Sequence, residues 1–145
     1  MLYAYALTVH VITMGLSLLL FIACELLLLG GAARSAKVAL QASSAGGLIM
    51  ALGILAGITL VYLGKWQPLT PWLLLSFILI GAMTIANRTV VRPWALRVRN
   101  AIEGDSSPAS LNQLTRDKRA LMARLFVIVL FSFVTALMMS KPALA

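Results

Sequence analysis

Four long uncharged apolar runs are separated by polar gaps along this chain, the last gap being the longest. Met1 to Cys24, Val38 to Gly64, Trp66 to Asn87 and Leu125 to Ser140 contain no Asp, Glu, Lys or Arg. About 20 mostly apolar residues are needed to cross a hydrocarbon core of about 30 Å. The pattern therefore predicts an all-α integral membrane four-helix bundle forming a single domain, with spans at about 2–30, 44–64, 70–90 and 120–140.

Local signals set the expected boundaries. Gly30-Gly31, followed by Arg34 and Lys37, stops the first helix, and Ser43 or Ser44 can cap the second. The breaker-rich turn Lys65-Trp66-Gln67-Pro68-Leu69-Thr70-Pro71 predicts a tight antiparallel hairpin of helices two and three, with Trp66 and Trp72 at headgroup level.

Beyond Asn87, Val90, Val91, Trp94, Val98 and Ile102 recur at helical spacing, so helix three continues out of the membrane and bends at Pro93. Glu103-Gly104-Asp105-Ser106-Ser107-Pro108 is a break, after which helix four begins. Leu111, Leu114, Leu121 and Leu125 are expected to pack on the extension, making a basic helical hairpin over about 91–119.

Charge gives the expected orientation. Arg34, Lys37, Arg88, Arg92, Arg97, Arg99, Arg116, Lys118, Arg119 and Arg124 fall toward one end, while only Lys65 and Lys141 fall toward the other. Positive residues stay on the cytoplasmic side, which predicts both termini outside and the hairpin inside, in a bacterial cytoplasmic (inner) membrane. The net charge of +8 then reflects loops facing anionic headgroups, and we expect the lipid bilayer as partner and no nucleic acid. With 61% hydrophobic and 11% charged residues, the chain is too apolar for a soluble domain of this length. The first run lacks a basic leader and a clear small-residue cleavage site, and is read as a retained helix.

Candidate chemistry gathers on the first span. His10, Thr13, Met14, Ser17, Phe21, Cys24 and Glu25 share one helical stripe, expected to face the bundle interior. Glu25 near the basic end can meet Arg34, Arg88 or Arg124. Helix two carries Gly46, Gly53, Gly57 and Gly64 close to one face. Such a groove lets another helix approach closely, and it can equally leave a slot for a flat ligand against His10.

The alternatives for His10 are therefore a bond to a neighbouring helix, a haem or quinone contact, and metal or proton transfer. With one histidine in the chain, an iron held by His10 needs another ligand, such as a methionine or a second subunit. The haem reading takes His10 as the iron ligand, with Met14, Gly53 and Gly57 around a haem b. Zinc spacings, phosphate loops and a Ser/His/carboxylate set are not apparent, which argues against a hydrolase or NTPase.

Met1-Leu2-Tyr3, Leu7 to His10, Tyr62-Leu63-Gly64, Pro71-Trp72 and Val91-Arg92-Pro93 together resemble a family of bacterial predicted integral membrane proteins of unknown function. A more distant similarity is to four-helix proteins of the copper-resistance D type and the HemJ-type protoporphyrinogen oxidases. That resemblance implies haem association at an early first-helix histidine, here His10. The expected function is a small haem-associated redox protein or a subunit of a membrane redox complex. The alternatives are an assembly or binding subunit docked to other membrane subunits or a second copy, and a small transporter.

Overall fold

A computed structural model describes residues 1–104 and 106–140, apart from the Ser140 side chain. Among these residues the chain is helical throughout, without strands: α1 (Leu2–Leu29), α2 (Ala33–Leu63), α3 (Pro71–Ala86), a π turn (Asn87–Val91), α4 (Arg92–Glu103), α5 (Pro108–Thr115) and α6 (Lys118–Ser140). Four helical rods are long and apolar enough to span a membrane: α1, α2, the continuous rod Pro71–Glu103, and α6. Lys141 lies outside the described residues, as does Asp105 of the expected break.

The first boundary agrees with the sequence reading and the second does not. α1 closes at Gly30, and Gly31 takes the turn at φ 66°, a backbone that L side chains rarely adopt. α2 then starts at Ala33, about a turn after α1 ends, rather than near residue 44. The segment Ala33-Arg-Ser-Ala-Lys-Val-Ala-Leu-Gln contains no breaker, and its buried side (Ala36, Ala39, Leu40) joins an apolar core. At 1.5 Å per residue its 31 residues extend about 46 Å, so one end stands clear of a 30 Å hydrocarbon layer.

Helix three does continue beyond Ala86, but the irregularity precedes Pro93 instead of sitting on it. The π turn covers Asn87–Val91 and Pro93 falls in the first turn of α4. Pro93 has no N–H for the Thr89 carbonyl and its ring crowds that group, so a wider turn ahead of it relieves the clash.

The expected continuous fourth helix is two helices. Ser107 caps α5, accepting from the Ser110 N–H at 3.4 Å, with Pro108 at the first position. α5 stops at Thr115, and Asp117 Oδ1 accepts the Arg119 N–H at 3.0 Å, which starts α6 afresh. This break changes which leucines pack. Leu111 is buried and Leu114 lies against the core, whereas Leu121 and Leu125 are 37% and 43% exposed because Ala120, Arg124 and Val127 turn inward instead.

Two apolar clusters hold the rods. At the basic end Trp94 and Val98 of α4 pack with Cys24, Leu28, Ala36, Ala39, Leu40, Leu111 and Ala120, and Trp94 Nε1 donates to the Leu114 carbonyl at 2.8 Å. Farther along, Met14, Met83, Val127 and Phe131 form a second cluster, with Met50 and Ile54 against it. At the opposite end Trp66 stands edge-on between Tyr3 and Trp72, with ring centroids 6.3 and 5.5 Å away.

α1 and α2 pack along their length and α3 pairs with α6, but α2 and α3 scarcely touch. The tight α2–α3 hairpin expected from the turn is therefore not formed. The glycine face of α2 is turned to α1.

Candidate functional site

The first-span stripe is turned inward as the sequence suggests. His10, Met14, Ser17 and Cys24 are buried, and Thr13, Phe21 and Glu25 are half-buried. Its upper and lower parts enter different environments.

Toward the end that holds Lys65, the stripe closes a helix joint. His10 Nδ1 lies 2.7 Å from the Gly53 carbonyl, and Ser17 Oγ donates to the Gly46 carbonyl at 2.7 Å. A carbonyl can only accept, so Nδ1 carries a proton and donates it. A Cβ on Gly57 would stand 2.9 Å from His10 Cε1; one on Gly53 would stand 2.8 Å from Thr13 Oγ1 and 2.9 Å from Met14 Sδ.

His10, Thr13 and Met14 thus fill the groove that Gly53 and Gly57 open, and no slot remains between the two helices for a macrocycle. His10 and Met14 both lean on glycine backbone rather than converging on a shared centre. The sequence-derived set His10, Met14, Gly53 and Gly57 does come together, but as a packed joint that does not fit a haem held in the notch. Among the described residues no three His, Cys, Asp or Glu side chains are grouped to hold a metal ion.

Nearer the basic end, the stripe borders a cavity. Glu25 meets Arg124 of α6, one of its three expected partners, in a fork: Nε donates to Oε1 at 2.6 Å and Nη2 to Oε2 at 3.3 Å. Arg124 is only 6% exposed, and its guanidinium carbon lies 4.0 Å over the Trp94 ring. Its remaining nitrogen, Nη1, is enclosed and has no hydrogen-bond acceptor. Beside this pair is a cavity of about 110 Å³ bordered by Cys24, Glu25, Ser43, Thr84, Asn87 and Arg124, so that α1, α2, α3 with its π turn, and α6 all contribute polar groups.

Apolar walls come from Phe21, Met50, Met83 and Val127, among others. Several of the polar groups are already engaged. Glu25 and Arg124 hold each other, and Thr84 Oγ1 donates back to the Ile80 carbonyl at 2.8 Å. Asn87 and Thr84 on its border are exposed.

Sequence reasoning anticipated Glu25 with Arg124 but missed Trp94 beneath the guanidinium, Ser43 beside Cys24, and the cavity itself. The available signal was the coincidence of Glu25, Asn87 and Arg124 at the same depth on three spans. No protein-family model, no curated protein and no solved structure matches this chain.

Proposed function

We propose that the chain is a membrane-embedded binding protein whose ligand site is the cavity beside Glu25 and Arg124. The observation that carries this reading is the convergence of polar groups from all four membrane-length rods on one small space, headed by a buried arginine with a nitrogen still lacking an acceptor. Ionisable groups within membrane spans are costly, and they mark ligand or ion sites more often than scaffolding. The π turn that borders the cavity adds support, since such turns recur at functional positions.

The charge asymmetry supports placing the basic end in the cytoplasm of a bacterial inner membrane, which puts the site in the inner half of the bilayer. A haem-bearing redox function draws less support, because His10 and Met14 are occupied in the α1–α2 joint.

Native mass spectrometry after gentle detergent extraction tests the reading. The wild-type protein is expected to retain a small amphiphile, and Ser43→Leu, which places a larger apolar side chain on the cavity wall, is expected to lose it. Identical spectra for the two proteins would refute the site. Orientation is tested separately: Ser107→Cys on the exposed cap should react with an impermeant maleimide in inverted vesicles and not in intact cells.

A further inference from the structure

A second space, separate from the cavity beside Glu25, lies toward the end that holds Lys65. Ile58 and Val61 of α2, Phe77 of α3 and the turn that joins the two helices line an open groove of about 520 Å³. Phe77 is six residues beyond Pro71, so the groove reaches about 9 Å below the turn at 1.5 Å per residue. Trp66 also lines it and stands edge-on to Tyr3 and Trp72, aromatic residues of the kind that collect at headgroup level. The groove therefore starts at the membrane surface and runs into the hydrocarbon.

Its polar side chains are at the mouth. Tyr62, Lys65 and Gln67, all exposed, bring a hydroxyl, an ammonium and an amide there. Among the described residues Lys65 pairs with no carboxylate, since the two ion pairs join Arg97 to Asp117 and Arg124 to Glu25. Glu25, Glu103 and Asp117, the acids among those residues, belong to the opposite end of the spans. A positive charge above an apolar groove complements an anionic headgroup followed by its acyl chain. A zwitterionic head brings a cation of its own, which finds no acid here.

The backbone at Lys65 points the same way. Its φ of 51° lies in the left-handed region, and it is the one non-glycine residue with positive φ among the described residues. A Cβ crowds the backbone in that conformation, and glycine avoids the cost. Gly64, next to it, is right-handed at φ −78°. A lysine held where glycine is favoured supports a role for its side chain.

We infer that the groove seats an anionic membrane phospholipid, with its phosphate on Lys65, Tyr62 and Gln67 donating to it, and the first part of an acyl chain against Ile58, Val61 and Phe77.

Trp66 lines the groove and can report its occupant. Trp72→Phe with Trp94→Phe leaves it the only tryptophan. In phosphatidylcholine nanodiscs, quenching of Trp66 fluorescence is followed as the fraction of a phosphatidylglycerol brominated near the head of its acyl chains is raised, and again with a phosphatidylcholine brominated at the same carbons.

The phosphatidylglycerol is expected to quench at about a fivefold lower fraction, the contribution of one lysine at an anionic surface. Lys65→Arg should keep this preference and Lys65→Gly should remove it. Because glycine suits a φ of 51°, Lys65→Gly should leave the thermal midpoint unchanged or raise it. Equal quenching by the two lipids, a preference that survives Lys65→Gly, or one that Lys65→Arg also loses would overturn the proposal. A midpoint lowered by Lys65→Gly would overturn it as well, by showing that the lysine holds the turn itself.

Discussion

Removing either partner of the Glu25–Arg124 pair should cost more stability than removing both. With side-chain exposures of 6% for Arg124 and 16% for Glu25, neither charge can turn to water in place. Glu25→Leu leaves a guanidinium without a counter-ion. A charged residue costs about 2.5–3.5 kcal/mol at a span centre on insertion scales, which is the upper bound for Arg124 nearer the basic end. The Trp94 ring returns about 1 kcal/mol through its π face, leaving a loss of about 2 kcal/mol.

Arg124→Met strands a half-buried carboxylate; a loss of about 2 kcal/mol is again expected. Glu25→Leu with Arg124→Met replaces the pair by apolar groups of similar length, a change that is commonly near neutral, so about 1 kcal/mol or less. The coupling is therefore about 3 kcal/mol, roughly two decades in the unfolding equilibrium. Reversible unfolding in mixed micelles of increasing dodecyl sulfate content, followed by circular dichroism, measures all four proteins. A double variant whose loss equals the sum of the singles within about 0.5 kcal/mol would refute the coupling.

The α1–α2 joint makes a second set of expectations. Gly57→Ala should destabilise by about 1–3 kcal/mol, since its Cβ would stand 2.9 Å from the His10 ring, and His10→Ala should recover part of that loss by making room; additive losses would show that the ring is not the obstacle. A reduced-minus-oxidised spectrum of protein made under haem-replete conditions should lack Soret and α bands, and a band abolished by His10→Ala would refute the closed joint. Trp94→Phe should lower stability by about 1–2 kcal/mol in the same micelle assay, through the lost bond to the Leu114 carbonyl and a weaker face for Arg124. An unchanged midpoint would mean that the cap at the basic end is not held from Trp94.

Much of this fold is legible in the runs and gaps of charge, and what is not has identifiable causes. The spans are visible because twenty uncharged apolar residues leave few alternatives. Helix starts outside the membrane are not, because Ser43 and Ser44 look like caps and nothing local says that Ala36, Ala39 and Leu40 will find Trp94 and Val98. The division of α5 from α6 turns on one side-chain bond from Asp117. Among its expected partners for Glu25, the stripe included the observed one, because Glu25 sits where the stripe meets the basic end. Choosing Arg124 over Arg34 and Arg88 needed the rotation that this break imposes on α6.

The place of His10 in a helix joint has a physical explanation in how membrane helices register. Apolar faces in lipid carry little positional information, since one Leu contact resembles the next, so polar side chains must fix how two helices slide and turn. His10 and Ser17 are seven residues apart on α1, and their acceptors Gly53 and Gly46 are seven apart on α2 in the antiparallel sense. Two bonds at matched spacing lock both translation and rotation, and glycine at both acceptor positions lets the helices come close enough to make them. A histidine there is chosen for reach and for a donor on Nδ1, which is the same property that makes it look like a metal ligand in sequence. Arg124 differs in one respect that no periodicity reveals. Its partner satisfies two of its three nitrogens, and the third is enclosed without an acceptor.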